Sequence, residues 1–478
     1  MKNIKKFKVT IQSNIKDALL KINSNYKGIC FVVDKYDILK GVITDGDIRR
    51  ALLNGYKLNS KISKIIKRKF IYLNIKSEKK KITKYFNQAI RIIPLVNNNK
   101  KLVSFIEDDS KISLAKPSLD GNELRYLTNC INTGWISSTG KYVRLFEKKF
   151  SKYTKIKHSL AVSNGTVALQ LAIKTLDIGF NDEVIVPNLT FASPVNAVIH
   201  AGAKPVFVDV NEKTFCINEN LIEKKISKRT KAIIVVHLYG HPANMKKISR
   251  IANKYNLKII EDCAEALSSF YNKKHVGNFG DVATFSFFGN KLITTGEGGM
   301  TCFNSKKLRD KAEILRDHGM SKNKKYWHEQ VGFNFRMTNI QGAIGCAQLE
   351  RINWFVKQKN ILVKNYQKEL SKINFITLPY QDKNVINSYW LYTIKIDSNL
   401  KKYREKILVK MNSRGIETRP IFYPMNFMKP FKKYLNKRDK FPISKKLFET
   451  SISLPSAYDV KKNDVIKVRN FLKNYIFE

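Results

Sequence analysis

Apolar and polar residues change rhythm along the chain. Near the amino terminus, short apolar runs are paired across polar turns. Gly28-Ile29-Cys30-Phe31-Val32-Val33 and Leu39-Lys40-Gly41-Val42-Ile43-Thr44 are predicted strands, with Asp34-Lys35-Tyr36-Asp37 as the turn between them. Ile90-Arg91-Ile92-Ile93-Pro94-Leu95-Val96, Asn97-Asn98-Asn99 and Leu102-Val103-Ser104-Phe105-Ile106 repeat that plan, and each repeat also carries a helix-like stretch. An internal repeat of this length predicts a paired α+β module. The hydrophilic run Glu107-Asp108-Asp109-Ser110-Lys111 closes it, and Ala115-Lys116-Pro117-Ser118 opens the next region, which puts a boundary near residue 112. Beyond it the rhythm becomes apolar strand, helical segment, apolar strand. Glu183-Val184-Ile185-Val186, Pro205-Val206-Phe207-Val208-Asp209, Ala232-Ile233-Ile234-Val235-Val236 and Lys258-Ile259-Ile260-Glu261-Asp262 are its strands. Their near-continuous apolar character predicts an α/β fold with a mainly parallel sheet covered by helices. The carboxyl-terminal part predicts a smaller α+β unit, with Tyr389-Trp390-Leu391-Tyr392-Thr393-Ile394 as one strand. The expected division is therefore 1–111, 112–350 and 351–478.

Length and composition set outer bounds on this picture. A chain of 478 residues, 43% of them apolar, suffices for about three domains with real cores. Its net charge of +49 allows a nucleic-acid binder, a membrane-surface protein or an enzyme of anionic substrates. The lysines are scattered through every segment, with no arginine-rich stripe and no basic tract interleaved with aromatics, so ordinary solvated faces explain them better than a nucleic-acid groove. The charge still favours a diphosphate-bearing substrate through long-range attraction. Six cysteines stand far apart with no Cys-x-x-Cys pair, so neither a metal site nor a disulfide framework is expected, and a reducing cytoplasm fits best. Met1-Lys2-Asn3-Ile4-Lys5-Lys6 opens no apolar signal region, and no apolar run approaches the ~20 residues of a membrane span.

Three stretches carry candidate chemistry. Ser163-Asn164-Gly165-Thr166 precedes a strong helix pattern, so its amides and hydroxyls form either a phosphate cradle or a plain helix cap. Asp262 ends a buried parallel strand, where it either pairs with a buried cationic nitrogen or caps the segment that follows. In Thr284-Phe285-Ser286-Phe287-Phe288-Gly289-Asn290-Lys291, followed by Leu292-Ile293-Thr294-Thr295-Gly296-Glu297-Gly298-Gly299, one lysine sits between an aromatic strand and a glycine-rich turn. Such a lysine is a candidate amine nucleophile, although abundance alone would make it a surface residue.

The order of motifs decides between these alternatives. Thr133-Gly134-Trp135-Ile136-Ser137-Ser138, Ser163-Asn164-Gly165-Thr166, Val186-Pro187-Asn188-Leu189-Thr190-Phe191, His237-Leu238-Tyr239-Gly240, Glu261-Asp262-Cys263-Ala264-Glu265-Ala266, the Lys291 segment and Gly332-Phe333-Asn334-Phe335-Arg336-Met337-Thr338-Asn339 follow one another. In this the chain from Ile112 onward closely resembles the DegT/DnrJ/EryC1/StrS family of sugar aminotransferases, which have the fold-type-I architecture and use pyridoxal 5'-phosphate (PLP). The resemblance implies that Lys291 is the Schiff-base lysine and moves the substrate proton, and that Asp262 keeps the pyridine nitrogen protonated. It puts Phe191 where an aromatic stacks on the ring and Glu265 where a side chain, often Gln or His in relatives, approaches the ring hydroxyl. Gly165, Thr166 and Ser286 match phosphate contacts. Asn334 matches a residue that reaches the neighbouring subunit's phosphate, which implies a homodimer with shared active sites. Lysine at 291 also separates the chain from family members that dehydrate sugars with histidine there.

The implied reaction moves an amino group from an amino acid, glutamate by expectation, to a nucleotide-linked keto-sugar. Gly415-Ile416-Glu417-Thr418-Arg419-Pro420-Ile421-Phe422-Tyr423-Pro424-Met425 looks most like the branch of the family that aminates C4 of a GDP-linked 4-keto-6-deoxy sugar, with UDP- or dTDP-sugars and C3 as the alternatives. The first module resembles a CBS pair, in which Gly41-x-x-Thr44-x-x-Asp47 would set Thr44 against phosphate and Asp47 against the ribose of an adenine nucleotide. Ser104-x-x-Glu107 is a copy without the glycine, so nucleotide sensing stands beside a purely structural role.

Overall fold

Alternation along β2 (Ile29–Val33) shows how the amino-terminal repeat folds. Cys30 and Val32 point to a core shared with α1 (Ile15–Asn25) and α2 (Asp45–Leu53), whereas Phe31 and Val33 point to a second core with Ile92, Val96, Leu102 and Phe105 of the other repeat. A strand covered on both faces needs no polar side, which explains its unbroken apolar sequence. The computed structural model describes residues 4–25, 27–67, 69–77, 85–86, 90–107 and 111–475. In it the chain divides into two units, Met1–Lys111 and Ile112–Glu478.

Unit 1 contains two sheets of identical plan. β1 (Lys8–Thr10) runs parallel to β2, which is antiparallel to β3 (Leu39–Thr44). β4 (Leu73–Asn74) runs parallel to β5 (Ile92–Val96), which is antiparallel to β6 (Leu102–Glu107). The expected turn after β2 is closed by Asp34 Oδ1, which accepts from the amides of Tyr36 and Ile38. The helical stretch expected in the second repeat falls largely outside the described residues.

Unit 2 is built on a seven-stranded sheet. β7 (His158–Val162), β8 (Glu183–Pro187), β9 (Lys204–Val208), β10 (Thr230–Val236), β11 (Lys258–Asp262), β14 (Val282–Ser286) and β15 (Gly299–Phe303) lie in the order β7-β15-β14-β11-β10-β8-β9. Only β15 runs against the others, antiparallel to both β14 and β7. β10 repeats the logic of β2: Ala232, Ile234 and Val236 join a core with α3 (Gly165–Thr175), and Ile233 and Val235 join one with α4 (Met245–Lys254) on the opposite face. A small antiparallel sheet joins β12 (Phe270–Tyr271), β13 (Lys274–His275) and β17 (Val385–Ile386).

The carboxyl-terminal part carries the long α5 (Ile352–Leu370) and a four-stranded antiparallel sheet of β16 (Ile376–Thr377), β18 (Tyr392–Ile396), β20 (Ser451–Leu454) and β19 (Arg419–Pro420) in that order. The strand expected from Tyr389 begins only at Tyr392. Tyr389 is in the left-handed region (φ 48), its amide bonded to Asn387 Oδ1, so Tyr389–Leu391 turn rather than extend. Tyrosine is not a residue that signals such a turn. Ile112 is stitched to this region: its amide donates to Gly415 O (2.7 Å), its carbonyl accepts from Glu417 N (2.9 Å), and Leu114 N reaches Glu417 Oε2. Among the described residues no helix is long and apolar enough to cross a membrane.

Candidate active site

The carboxyl ends of β7, β8, β11 and β14 open onto one cavity of about 610 Å³, the position where open α/β sheets bind ligands. Its floor begins with α3. Asn164 caps this helix by accepting from Val167 N (3.0 Å), which leaves the amides of Gly165 and Thr166 at its first two positions without intrahelical acceptors. A Cβ at Gly165 would stand 2.8 Å from Ser286 Cβ, so glycine is what lets the Ser286 hydroxyl approach the helix end. Thr166 Oγ1 and Ser193 Oγ share a hydrogen bond of 2.7 Å beside it. Free amides, hydroxyls and the helix dipole together make an anion cradle.

Asp262, at the end of β11, is buried, with Oδ1 accepting from Ala264 N (3.0 Å). Burial lifts its carboxyl above the ordinary range, against the pull of the Ala264 amide and the Lys291 charge. The capping alternative is thus realised through one oxygen, while the side chain also lines the cavity. Its neighbour Glu261, on the other face of the strand, carries a role that motif reading missed. Its carboxylate accepts from the amides of Gly277 (2.8 Å), Phe279 (2.7 Å) and Gly280 (2.7 Å). His237 Nδ1 accepts from Ala243 N, so Nε2 bears the proton and donates to Glu261 Oε2 at 3.1 Å. Although burial pushes the Glu261 carboxyl up, His237 and the amides of Gly277 and Gly280 hold it below the usual range. Cys263 brings a third donor within 4.8 Å of this pair, but the nitrogens of His237 and the oxygens of Glu261 are already spent on protein partners.

Lys291 is nearly enclosed, its side chain 13% exposed. Nζ lies 3.5 Å from Glu265 Oε1 and 3.8 Å from the centroid of the Trp390 ring. Glu265 Oε2 accepts from Tyr239 N (2.8 Å). Burial pushes the Glu265 carboxyl up to about 7, against the attraction of Lys291 and the Tyr239 amide. The Trp390 indole N–H donates to Asn290 O (2.8 Å), and its ring stacks on Tyr239, which stacks in turn on Phe422. Phe191, 57% exposed, meets Phe422 at 5.6 Å and borders the same cavity.

Gly165, Thr166, Phe191, Asp262, Glu265, Ser286 and Lys291 therefore share one cavity, although they come from four separate stretches of sequence. Asn334 does not border it; it is exposed on a loop and accepts from Arg336 Nε (3.2 Å). Trp390, Tyr239, Phe422, Arg419, Thr190 and Asn290 were not singled out from the sequence. Thr190 Oγ1 and Asn290 Oδ1 are buried without a hydrogen-bond partner, and both residues line the cavity.

In unit 1, Thr44 and Asp47 bond to each other. Thr44 caps α2, accepting from Asp47 N, while Thr44 N and Oγ1 donate to Asp47 Oδ2 at 3.0 and 2.6 Å. Asp47 Oδ1 pairs with Arg50 and Lys67. Burial pushes the Asp47 carboxyl up, but the Thr44 hydroxyl and Lys67 hold it below the ordinary range.

Sheet, anion cradle, buried carboxylate and enclosed lysine together define the class: this is a PLP-dependent aminotransferase. Residues 117–473 match the DegT/DnrJ/EryC1/StrS aminotransferase family, and residues 3–54 match the CBS domain. The chain is 41% identical over 364 residues to GDP-perosamine synthase of Vibrio cholerae, covering 76% of this chain and 99% of that one. With GDP-perosamine synthase of Escherichia coli O157:H7 it shares 43% identity over 357 residues, 75% of this chain and 96% of the relative. Helicobacter pylori PseC, an aminotransferase involved in the biosynthesis of pseudoaminic acid, matches with a TM-score of 0.73 at 26% identity, over 77% of this chain and 100% of its own. The PLP form of a putative sugar aminotransferase, Spr1654 of Streptococcus pneumoniae, matches with a TM-score of 0.72 at 25% identity, covering 76% and 98%. The chain belongs to the DegT/DnrJ/EryC1/StrS aminotransferase family.

Proposed function

We propose that unit 2 transfers an amino group from glutamate to C4 of GDP-4-keto-6-deoxymannose, as a GDP-perosamine synthase does. The observation that carries the reading is Lys291, held against Glu265 and Trp390 in a cavity that also contains Asp262 and the helix-end cradle. These residues fit PLP. The amides of Gly165 and Thr166 and the Ser286 hydroxyl would hold its phosphate, Asp262 its ring nitrogen, Phe191 one ring face and Glu265 its hydroxyl. When bound, PLP supplies an electron sink for the carbanion left at the amine-bearing carbon. Lys291 Nζ takes the proton from that carbon and returns one at the next position. Asp262 would be held ionised by a cationic ring nitrogen opposite it, and the Trp390, Tyr239 and Phe422 stack would exclude water from the Lys291 side.

Identities of 41% and 43% over nearly the whole length of two GDP-perosamine synthases support the GDP-linked substrate. Lys291 and Arg419 are the positive residues among those lining the cavity, and Arg419, whose guanidinium lies 3.9 Å from Glu417 Oε1, would receive a carboxylate or diphosphate. Asn334, exposed and away from its own cavity, supports a homodimer in which it reaches the phosphate in the partner's site. Cytoplasmic placement accords with six cysteines, all buried free thiols. The CBS match supports a nucleotide site at Thr44 and Asp47 in unit 1, which requires Asp47 to release Lys67 and Arg50.

Purified protein loaded with PLP is expected to be yellow, and glutamate to bleach the band. Lys291→Ala should lose that response and lower turnover by about 10³-fold or more. An unchanged band and rate in that variant would refute the mechanism. A panel of GDP-, UDP- and dTDP-linked keto-sugars with glutamate tests the substrate, and turnover confined to a UDP or dTDP sugar overturns the GDP assignment.

A further inference from the structure

Lys359, on α5, is a buried lysine that the reaction as described does not use. Among the described residues no carboxylate pairs with it. Its ammonium donates instead to two main-chain carbonyls, Trp390 O (2.9 Å) and Ser456 O (2.6 Å), and the Tyr458 ring lies 5.4 Å away. Burying a cation on carbonyls alone is costly, so the arrangement needs a reason. Burial pushes the Lys359 ammonium down to about 7.

The two carbonyls belong to the two segments that grip the Lys291 loop. From the first, Trp390 donates its indole N–H to Asn290 O and lays its ring over Lys291 Nζ. From the second, two residues beyond Ser456, the Tyr458 hydroxyl donates to Leu292 O. Residues 290, 291 and 292 are thus each held by a side chain whose own backbone is anchored at or next to Lys359.

We propose that Lys359 is a positioning residue for Lys291: by tying the Trp390 and Ser456 carbonyls together, it fixes the two clamps on residues 290–292 and so sets the reach and proton affinity of the Lys291 amine. The inference rests on the reading of Lys291 as the cofactor lysine. Among the described residues, the titratable groups beside Lys291 are Glu265 and Asp262, and the one beside Lys359 is Tyr458.

The test compares full-length wild type, Lys359→Met, Lys359→Arg and Tyr458→Phe. In cofactor-free protein, the rate at which an amine-acylating reagent labels Lys291, followed by peptide mass spectrometry across pH, reads that amine directly. Lys359→Met is expected to move the labelling midpoint by about one pH unit or more. In loaded protein it should move the pH midpoint of the visible band the same way and lower kcat about tenfold, while changing KM less than about twofold. Lys359→Arg, which keeps donors for both carbonyls, should restore most of each effect. Tyr458→Phe removes one clamp without touching Lys359 and should shift the midpoint in the same direction by less, so the proposal stays testable if Lys359→Met does not fold. A folded Lys359→Met with unmoved labelling and band midpoints, or an unmoved midpoint in Tyr458→Phe, overturns it. Failure of the cofactor reading looks different, since Lys291→Ala would then keep the visible band while Lys291 labelling still responded to Lys359.

Discussion

Glu265 shows how much a single buried carboxyl contributes. Its ordinary value is 4.5 and burial raises it to about 7, so the native state binds the proton more tightly than the unfolded chain does. Its contribution to stability therefore falls as pH rises from the unfolded value through the folded one. Glu265→Gln removes that fall. The cofactor-free variant is expected to melt about 2 °C or more above wild type at pH 8 and near wild type at pH 4, as read by differential scanning calorimetry. Equal melting differences at both pH values would contradict the assignment. Residue placement was legible where a motif names it: Asp262, Glu265 and Lys291 stand in quoted motifs and share the cavity. Glu261 stands beside Asp262 in the same motif, yet its partners, the amides of Gly277, Phe279 and Gly280, are turn backbone that leaves no side-chain pattern to read.

At the scale of elements, the start of α3 depends on an absence. The Ser286 side chain sits against the helix end because residue 165 lacks a Cβ and Ser286 fills that space. Gly165→Ala forces the two apart, a strain of about 1–3 kcal/mol that should weaken PLP binding about tenfold or more in a titration of the visible band. The melting point of the cofactor-free protein should move less, because Ser286 can retreat into an empty cavity. Strands β8 to β11 of the large sheet were legible from their apolar runs, since burial on both faces leaves little else in the sequence. The start of β18 was not. A positive φ at Tyr389 moved it to Tyr392 and turned Trp390 toward Lys291, a choice made by tertiary contacts rather than by local propensity.

For the whole molecule, the relatives cover nearly all of their own length within about three quarters of this chain. Unit 2 is thus the part they share, and a protein starting at Lys111 should fold and keep kcat/KM within about twofold of the full chain. Loss of turnover by more than tenfold would mean that unit 1 is needed for catalysis itself. Scattered charge, read as ordinary solvated surface, gave no hint of this division; the repeat and the hydrophilic run at 107–111 did, because two small sheets bury their apolar faces against each other and leave a polar exit.

Ile112 is where the chain enters unit 2, beside backbone that leads to the cavity. Its two main-chain hydrogen bonds run to Gly415 and Glu417, and Arg419, two residues further on, lines the cavity. Ile112, the first residue of unit 2, therefore pairs with the same stretch of backbone that two residues later supplies a side chain to the cavity wall.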